Sequence, residues 1–505
     1  MQQIKNLFVI LFFMTGMVAN AQNNMAVYHE QYRPQIHFSP KEHWMNDPNG
    51  MVYNEGIYHL FFQYYPGGTK WGPMHWGHAT SPDMIHWQEQ PIALYPDSLG
   101  YIFSGSAVVD KNNTSGFGKG GKAPLVAIYT NHDTVGEHAK RNNYQTQSIA
   151  YSLDNGRTWT KYSGNPVVRN PGIIDFRDPK VSWNEESKKW IMTLATKDRI
   201  TFYSSPNLKD WTKESEFGEK LGAHGGVWEC PDLFPLDYNG KRVWTLIVNI
   251  NPGGPNGGSA TQYFTGNFDG HTFTPDDTTT KWLDYGPDEY AGITWSNTGN
   301  RKIFLGWMSN WDYADTVPTQ KWRSAMTIPR ELGIEKINNQ FRVTSQPVKE
   351  LNAIAKPVAT LANVKAADYT VANTSKLSIP YKLSLTTDAA KDFSITFSNE
   401  AGEQLVVGYD KAANQYYINR TRAGESSFKQ SFAAKAVAPR FTQENTIQLT
   451  LIMDKASVEL FADEGLTTMT AIFFPKDLLN QIHIQSPDNL MFKTLQVSSM
   501  QSIWK

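Results

Sequence analysis

Tyr58-His59-Leu60-Phe61-Phe62 is a short apolar run of strand-forming residues, and the chain repeats its kind at a near-regular period. The later copies are Leu125-Val126-Ala127-Ile128-Tyr129, Trp190-Ile191-Met192-Thr193-Leu194, Trp244-Thr245-Leu246-Ile247-Val248 and Ile303-Phe304-Leu305-Gly306-Trp307. Their starts are spaced by 67, 65, 54 and 59 residues. A turn closed by an aromatic follows four of them: Ser81-Pro82-Asp83 to Trp87, Ser152-Leu153-Asp154-Asn155-Gly156 to Trp159, Ser205-Pro206-Asn207 to Trp211, and Asn267-Phe268-Asp269-Gly270 to Phe273. Such turns close hairpins. Five repeats of short strands with almost no helical periodicity predict an all-β chain opening with a five-bladed β-propeller.

Working outward, the repeat locates three unusual carboxylates. Asp47 lies in Trp44-Met45-Asn46-Asp47-Pro48-Asn49-Gly50, Asp178 in Phe176-Arg177-Asp178-Pro179, and Glu229 in Trp228-Glu229-Cys230-Pro231-Asp232. They precede the runs starting at 58, 190 and 244 by 11, 12 and 15 residues. Each therefore falls on or near the first strand of its blade. That innermost strand lines a propeller's central channel, so blades one, three and four aim one carboxylate each at a common funnel. Asp before Pro and Asn before Gly are also ordinary turn chemistry. Three such motifs converging on one axis point instead to acid, base or nucleophile work. Paired carboxylates across a scissile bond are the minimum equipment of a glycoside hydrolase.

These motifs resemble glycoside hydrolase family 32, the invertase, inulinase and levanase group, and within it the bacterial exo-acting levanases. The resemblance runs from about Gln31 to the C-terminus. It includes Phe61-Phe62-Gln63-Tyr64, Trp71 to His78, Phe103-Ser104-Gly105-Ser106, Trp322 to Met326 and Ile328-Pro329-Arg330-Glu331. It implies that Asp47 is the nucleophile, Glu229 the acid/base, and Asp178 the group that bonds fructose hydroxyls. It also implies sugar contacts at Asn46, Gln63, Trp71, Phe103 and Ser104. Arg177 is placed to orient Asp178 or to relieve repulsion among the carboxylates. Trp307, ending the fifth run, is expected to close the pocket. Tyr290, 13 residues before that run, faces the funnel; the family usually has an aromatic where Glu289 stands. The residues beside each carboxylate agree with these roles. Polar neighbours should keep Asp47 ionised, and the bulk of Trp228 should desolvate Glu229 and keep it protonated. Cys230 reads as a small buried hydrophobe.

Bulk properties narrow the class further. The 505 residues carry a net charge of −1 without a basic stripe, which disfavours a nucleic-acid partner. Aromatics make up 13% of residues, 16 of them Trp, which supplies both core and flat faces for sugar C–H surfaces. Residues 1–21 read as a signal peptide: Lys5, the apolar run Leu7 to Phe13, and Ala19-Asn20-Ala21 before the cleavage point. The apolar run is too short to span a membrane. With no Cys near the cleavage point, a lipid anchor is not expected, so the protein should be exported, periplasmic or secreted. Cys230 is the only cysteine, so no intrachain disulfide forms. His75-Trp76-Gly77-His78 lacks a third metal ligand, and Gly253-Gly254-Pro255-Asn256-Gly257-Gly258 lacks the lysine of a phosphate loop. No metal and no cofactor are expected.

The propeller is expected over 31–335. A linker follows at 336–356, with a short helix near Val348-Lys349-Glu350-Leu351, and a β-sandwich occupies 357–505. Lys376 to Ile379, Thr446 to Leu451 and Ser457 to Phe461 are its clearest alternating strands. Its expected role is to brace the propeller. The leading functional expectation is a retaining exo-hydrolase that releases fructose from levan or inulin, and from sucrose. An endo-levanase or fructosyltransferase on the same site, and a non-catalytic fructan-binding protein, are the alternatives.

Overall fold

The computed structural model describes residues 28–365, 368–371, 379–488 and 490–504. The expected leader at 1–21 and most of the expected strand at 376–379 lie outside the described residues.

Five antiparallel sheets follow one another along the chain, and each central run is the second strand of its sheet. Sheet one runs His43–Asn54, Ile57–Tyr65, His75–Ser81 and Gln88–Leu94. The inner strands of the others are Tyr101–Val109, Phe176–Asn184, Val227–Tyr238 and Tyr290–Thr294. The aromatic-closed turns each join a third strand to a fourth. In three of them a serine hydroxyl donates to the Asx side chain two residues on, Ser81 to Asp83, Ser152 to Asp154 and Ser205 to Asn207. This is the local bond that makes Ser and Asx good turn residues. The chain is a five-bladed propeller followed by a β-sandwich. The ring is tied shut where Trp322–Arg323 returns to pair in parallel with His43 and Trp44 of blade one.

The propeller does not end at Glu335 as expected, because that residue falls inside the strand Arg330–Ile337. Arg330–Ile337 and Gln340–Pro347 form a hairpin that completes blade five. Its turn is Asn338-Asn339, both with positive φ (48° and 65°), a tight hairpin turn that reads in sequence as the start of a linker. The connection shrinks to Val348 and the 3₁₀ helix Lys349–Ile354, which buries Leu351 and Ile354.

Two six-stranded sheets make the sandwich. Tyr381–Thr387 shows the strict in–out alternation that faces one side to the core. The sandwich locks onto the propeller through buried charges. His37 bonds Asp454 (2.8 Å) and Glu459 (2.9 Å), and Arg330 bonds Glu459 (3.0 Å) and Asp284 (2.8 Å). Burial opposes charge on His37, but its two carboxylate partners prevail and raise its pKa to about 9. Arg420 reaches from the sandwich to Asp288, beneath the inner strand of blade five.

Candidate active site

All five inner strands break register with the second strand of their blade. The shifts fall between Met45 and Pro48, Ile102 and Gly105, Arg177 and Lys180, Glu229 and Asp232, and Tyr290 and Ile293. A β-bulge re-aims the side chains it interrupts. Pro48, Pro179 and Pro231 lie within or at the edge of these breaks, where a residue without an N–H costs no ladder bond. Asp178, Cys230 and Ala291 take positive φ of 64°, 42° and 54°. Such conformations cost a residue with a Cβ and collect at functional sites. Gly50, at φ 57°, passes so close to Trp76 and Phe61 that a Cβ would lie 2.6 and 2.7 Å from their rings. That explains the glycine ending the Asp47 motif.

The bulges turn Asp47, Asp178 and Glu229 into one cavity of about 410 Å³. Asp47 accepts hydrogen bonds from Ser104 Oγ (2.7 Å) and Asn46 Nδ2 (2.8 Å). Asp178 accepts from the Cys230 backbone N–H (3.1 Å). The Cys230 thiol lies between the two, 3.5 Å from Asp47 and 3.6 Å from Asp178. Glu229 is held at both oxygens. Oε1 accepts from Arg177 Nε (3.1 Å) and Nη2 (2.9 Å), and Oε2 accepts from the Tyr290 hydroxyl. Arg177 also pairs with Asp175, so its guanidinium is fixed from two sides.

Of the other expected contacts, Asn46, Gln63, Trp71, Phe103, Ser104 and Arg177 all line this cavity. Trp307 does not. It is fully buried behind the wall, packed on Trp44 and Trp311 at centroid distances of 6.2 and 5.0 Å. It sits on the strand Ile303–Met308, whose side chains are all buried. The ring that reaches the cavity is Trp311, in the turn beyond. Tyr290 is buried as well, and it touches Glu229 from behind instead of lining the cavity. The Trp228 indole, expected against Glu229, packs elsewhere. Successive strand residues face opposite ways, and its indole packs on His224 and Phe264 and donates to Ala223 O. His132, Glu137, Tyr144, Gln145, Asp175 and Asp315 complete the lining, and sequence reasoning found none of them.

Crowding sets the electrostatics. Burial first, and then the charge of Glu229, push Asp47 upward against the hydrogen bonds from Ser104 and Asn46. The polar neighbours expected to favour its ionised form are present, Ser104 and Asn46 both donating to it and opposing the rise. Burial also pushes Asp178 up to about 7, with Glu229 and Asp47 adding and Arg177 opposing. A carboxyl raised in the folded state binds its proton more tightly there than when unfolded. Folding stability then falls as pH rises from the unfolded value of about 4 through the folded one. Asp178→Asn should therefore raise the melting temperature at pH 8 and leave it nearly unchanged at pH 4. Thermal melts at both pH values check this; an equal change at both would contradict it.

Residues 37–347 match the N-terminal domain of glycosyl hydrolases family 32, and residues 340–501 match the family's C-terminal region. The chain belongs to that family and is a glycoside hydrolase. It is 44% identical to a levanase of Bacillus subtilis, over 99% of this chain and 75% of that protein. It is 43% identical to an extracellular exo-inulinase of Aspergillus niger, over 89% of this chain and 91% of that one. The crystal structure of exo-inulinase from Aspergillus awamori superposes with a TM-score of 0.86 at 39% identity, covering 94% of this chain and all of that one.

Proposed function

We propose that this protein is a retaining exo-hydrolase that releases terminal fructose from fructans, with sucrose as a further substrate. The observation that carries the reading is the single cavity into which the bulges of blades one, three and four turn Asp47, Asp178 and Glu229. Its buried floor of Asn46, Gln63, Ser104 and Asp178 leads to an open mouth at Trp71 and Asp315. A cavity of this size with a buried floor suits one chain end. The levanase and exo-inulinase relatives support the substrate class.

In this mechanism Asp47 attacks the anomeric carbon of the terminal fructose as Glu229 gives its proton to the leaving oxygen. The glycosidic C–O bond breaks and a fructosyl ester forms on Asp47. Glu229, now a carboxylate, takes a proton from water, which attacks the same carbon and frees Asp47. Arg177 and Tyr290 position Glu229 through both steps. Asp178 accepts hydrogen bonds from fructose hydroxyls, contacts that accelerate reaction where they tighten in the transition state.

Chromatography of a levan digest tests the reading. Free fructose should appear from the first minutes while polymer size barely falls. An early ladder of oligosaccharides would mean endo cleavage, and no product would mean a binding protein. We propose further that the protein is exported. No helix among the described residues is long and apolar enough to cross a membrane. Mass spectrometry of the mature protein should show a start at Gln22.

A further inference from the structure

We propose that Glu137 binds the sugar unit next to the terminal fructose, the leaving group, and that His132 and Gln145 are positioning residues that hold it ready. The proposal rests on the fructan reading above. The cavity is graded by depth: Asn46, Gln63, Ser104 and Asp178 are buried, whereas Trp71 and Glu137 are exposed. If the terminal fructose fills the floor beside Asp47, the next unit must lie at this mouth. The Glu137 side chain is 46% exposed, while its partner His132 is 5% exposed. Glu137 rides on the short helix Thr134–His138. Asp133 fixes that helix by accepting from the Val135 N–H (3.1 Å) and from Arg141 (2.7 Å).

A chain of unambiguous donors sets the orientation. The backbone N–H of Phe176 donates to Gln145 Oε1 (2.8 Å), which fixes which end of that amide is oxygen. Gln145 Nε2, 3.1 Å from His132 Nδ1, is then a donor, so Nδ1 must accept. The ring proton therefore sits on Nε2 and is donated to Glu137 Oε2 at 3.0 Å. One carboxylate oxygen is occupied by this bond. The other, Oε1, takes no hydrogen bond from the described residues and is left for a ligand. The same imidazole stacks on Phe103 (centroids 4.2 Å apart, planes within 7°), and Phe103 meets Trp71 edge-on at 6.1 Å. One side chain thus backs the aromatic wall and aims a charged acceptor at the mouth. The constraint starts at Phe176, two residues before Asp178. Charged acceptors make the stronger bonds to hydroxyls, and an acceptor already held in place loses less freedom on binding. The ligand class is a hexose unit with free hydroxyls: the penultimate fructosyl of a fructan, or the glucose of sucrose.

The test compares two substrates on the full-length protein, a levan-derived oligosaccharide and nitrophenyl β-fructofuranoside. The second places a flat aromatic where the sugar would lie. For Glu137→Ala, the ratio of oligosaccharide to nitrophenyl kcat/KM should fall roughly 10- to 100-fold, the scale of one hydrogen bond to a charged group. The fall should come mainly through KM. His132→Phe keeps a ring against Phe103 but removes the N–H, and the ratio should drop in the same direction. An unchanged ratio in both variants would overturn the proposal. Failure of the fructan reading would look different. A wild-type protein that cleaves the nitrophenyl fructoside but no oligosaccharide would overturn that reading and this proposal with it.

Discussion

Asp47→Ala should lower turnover of a fructan on the order of 10⁴- to 10⁶-fold, the scale on which enzymes lose rate when a covalent nucleophile is removed. No other group can take its place. Asp178 is held by the Cys230 backbone and thiol, and Glu229 is clamped between Arg177 and Tyr290. The loss should not come from unfolding. Asp47 is one of three mutually repelling carboxylates, its protonation favoured by burial and by Glu229. Removing it relieves that repulsion, so the melting temperature should hold or rise while activity disappears. Steady-state kinetics beside a thermal melt check both halves. A variant within tenfold of wild type would remove Asp47 from the mechanism.

Glu229→Ala should show a loss that depends on the leaving group. A sugar needs a proton to depart, so fructan cleavage should fall by roughly 10²- to 10⁴-fold, the range for a lost general acid. Nitrophenolate leaves without one, so nitrophenyl β-fructofuranoside should still load Asp47. The water step, having lost its base, should then stall. Stopped-flow absorbance should record a burst of nitrophenolate near one equivalent, followed by slow turnover. Azide, a nucleophile that needs no base, should speed that slow phase. Equal losses on both substrates, without a burst, would contradict the acid/base role.

Much of this architecture was legible in the sequence because a propeller is a repeat. The second strand of each blade is buried on both faces, and such strands stand out as unbroken apolar runs. The third-to-fourth turns mark the period again through Ser-Asx bonds and a closing aromatic. The three carboxylates were legible because bulges leave traces: Pro48, Pro179 and Pro231 sit where a ladder bond is given up. What was missed has equally physical reasons. The Asn338-Asn339 turn is strongly hairpin-forming, yet its flanks Arg330–Ile337 and Gln340–Pro347 carry charges that resemble a linker. Trp307 and Trp311 stand four residues apart, and only the strand's end decides which ring enters the core and which reaches the cavity. His132, Glu137, Gln145 and Asp315 carry no motif. His132, Glu137 and Gln145 come together at the connection between the second and third strands of blade two, and only Asp315 comes from another blade, so their meeting depends on pairing and on ring closure that no local pattern shows. Trp228 misled because adjacency in a strand puts its side chain on the face opposite Glu229.

The most direct test of the double displacement is the configuration of a trapped product. Early levan digests run in aqueous methanol should yield methyl fructoside, which, unlike free fructose, cannot equilibrate between anomers. Two successive displacements at the anomeric carbon predict methyl β-fructofuranoside, resolved by NMR. Methyl α-fructofuranoside would mean a single displacement, and would contradict a covalent intermediate on Asp47.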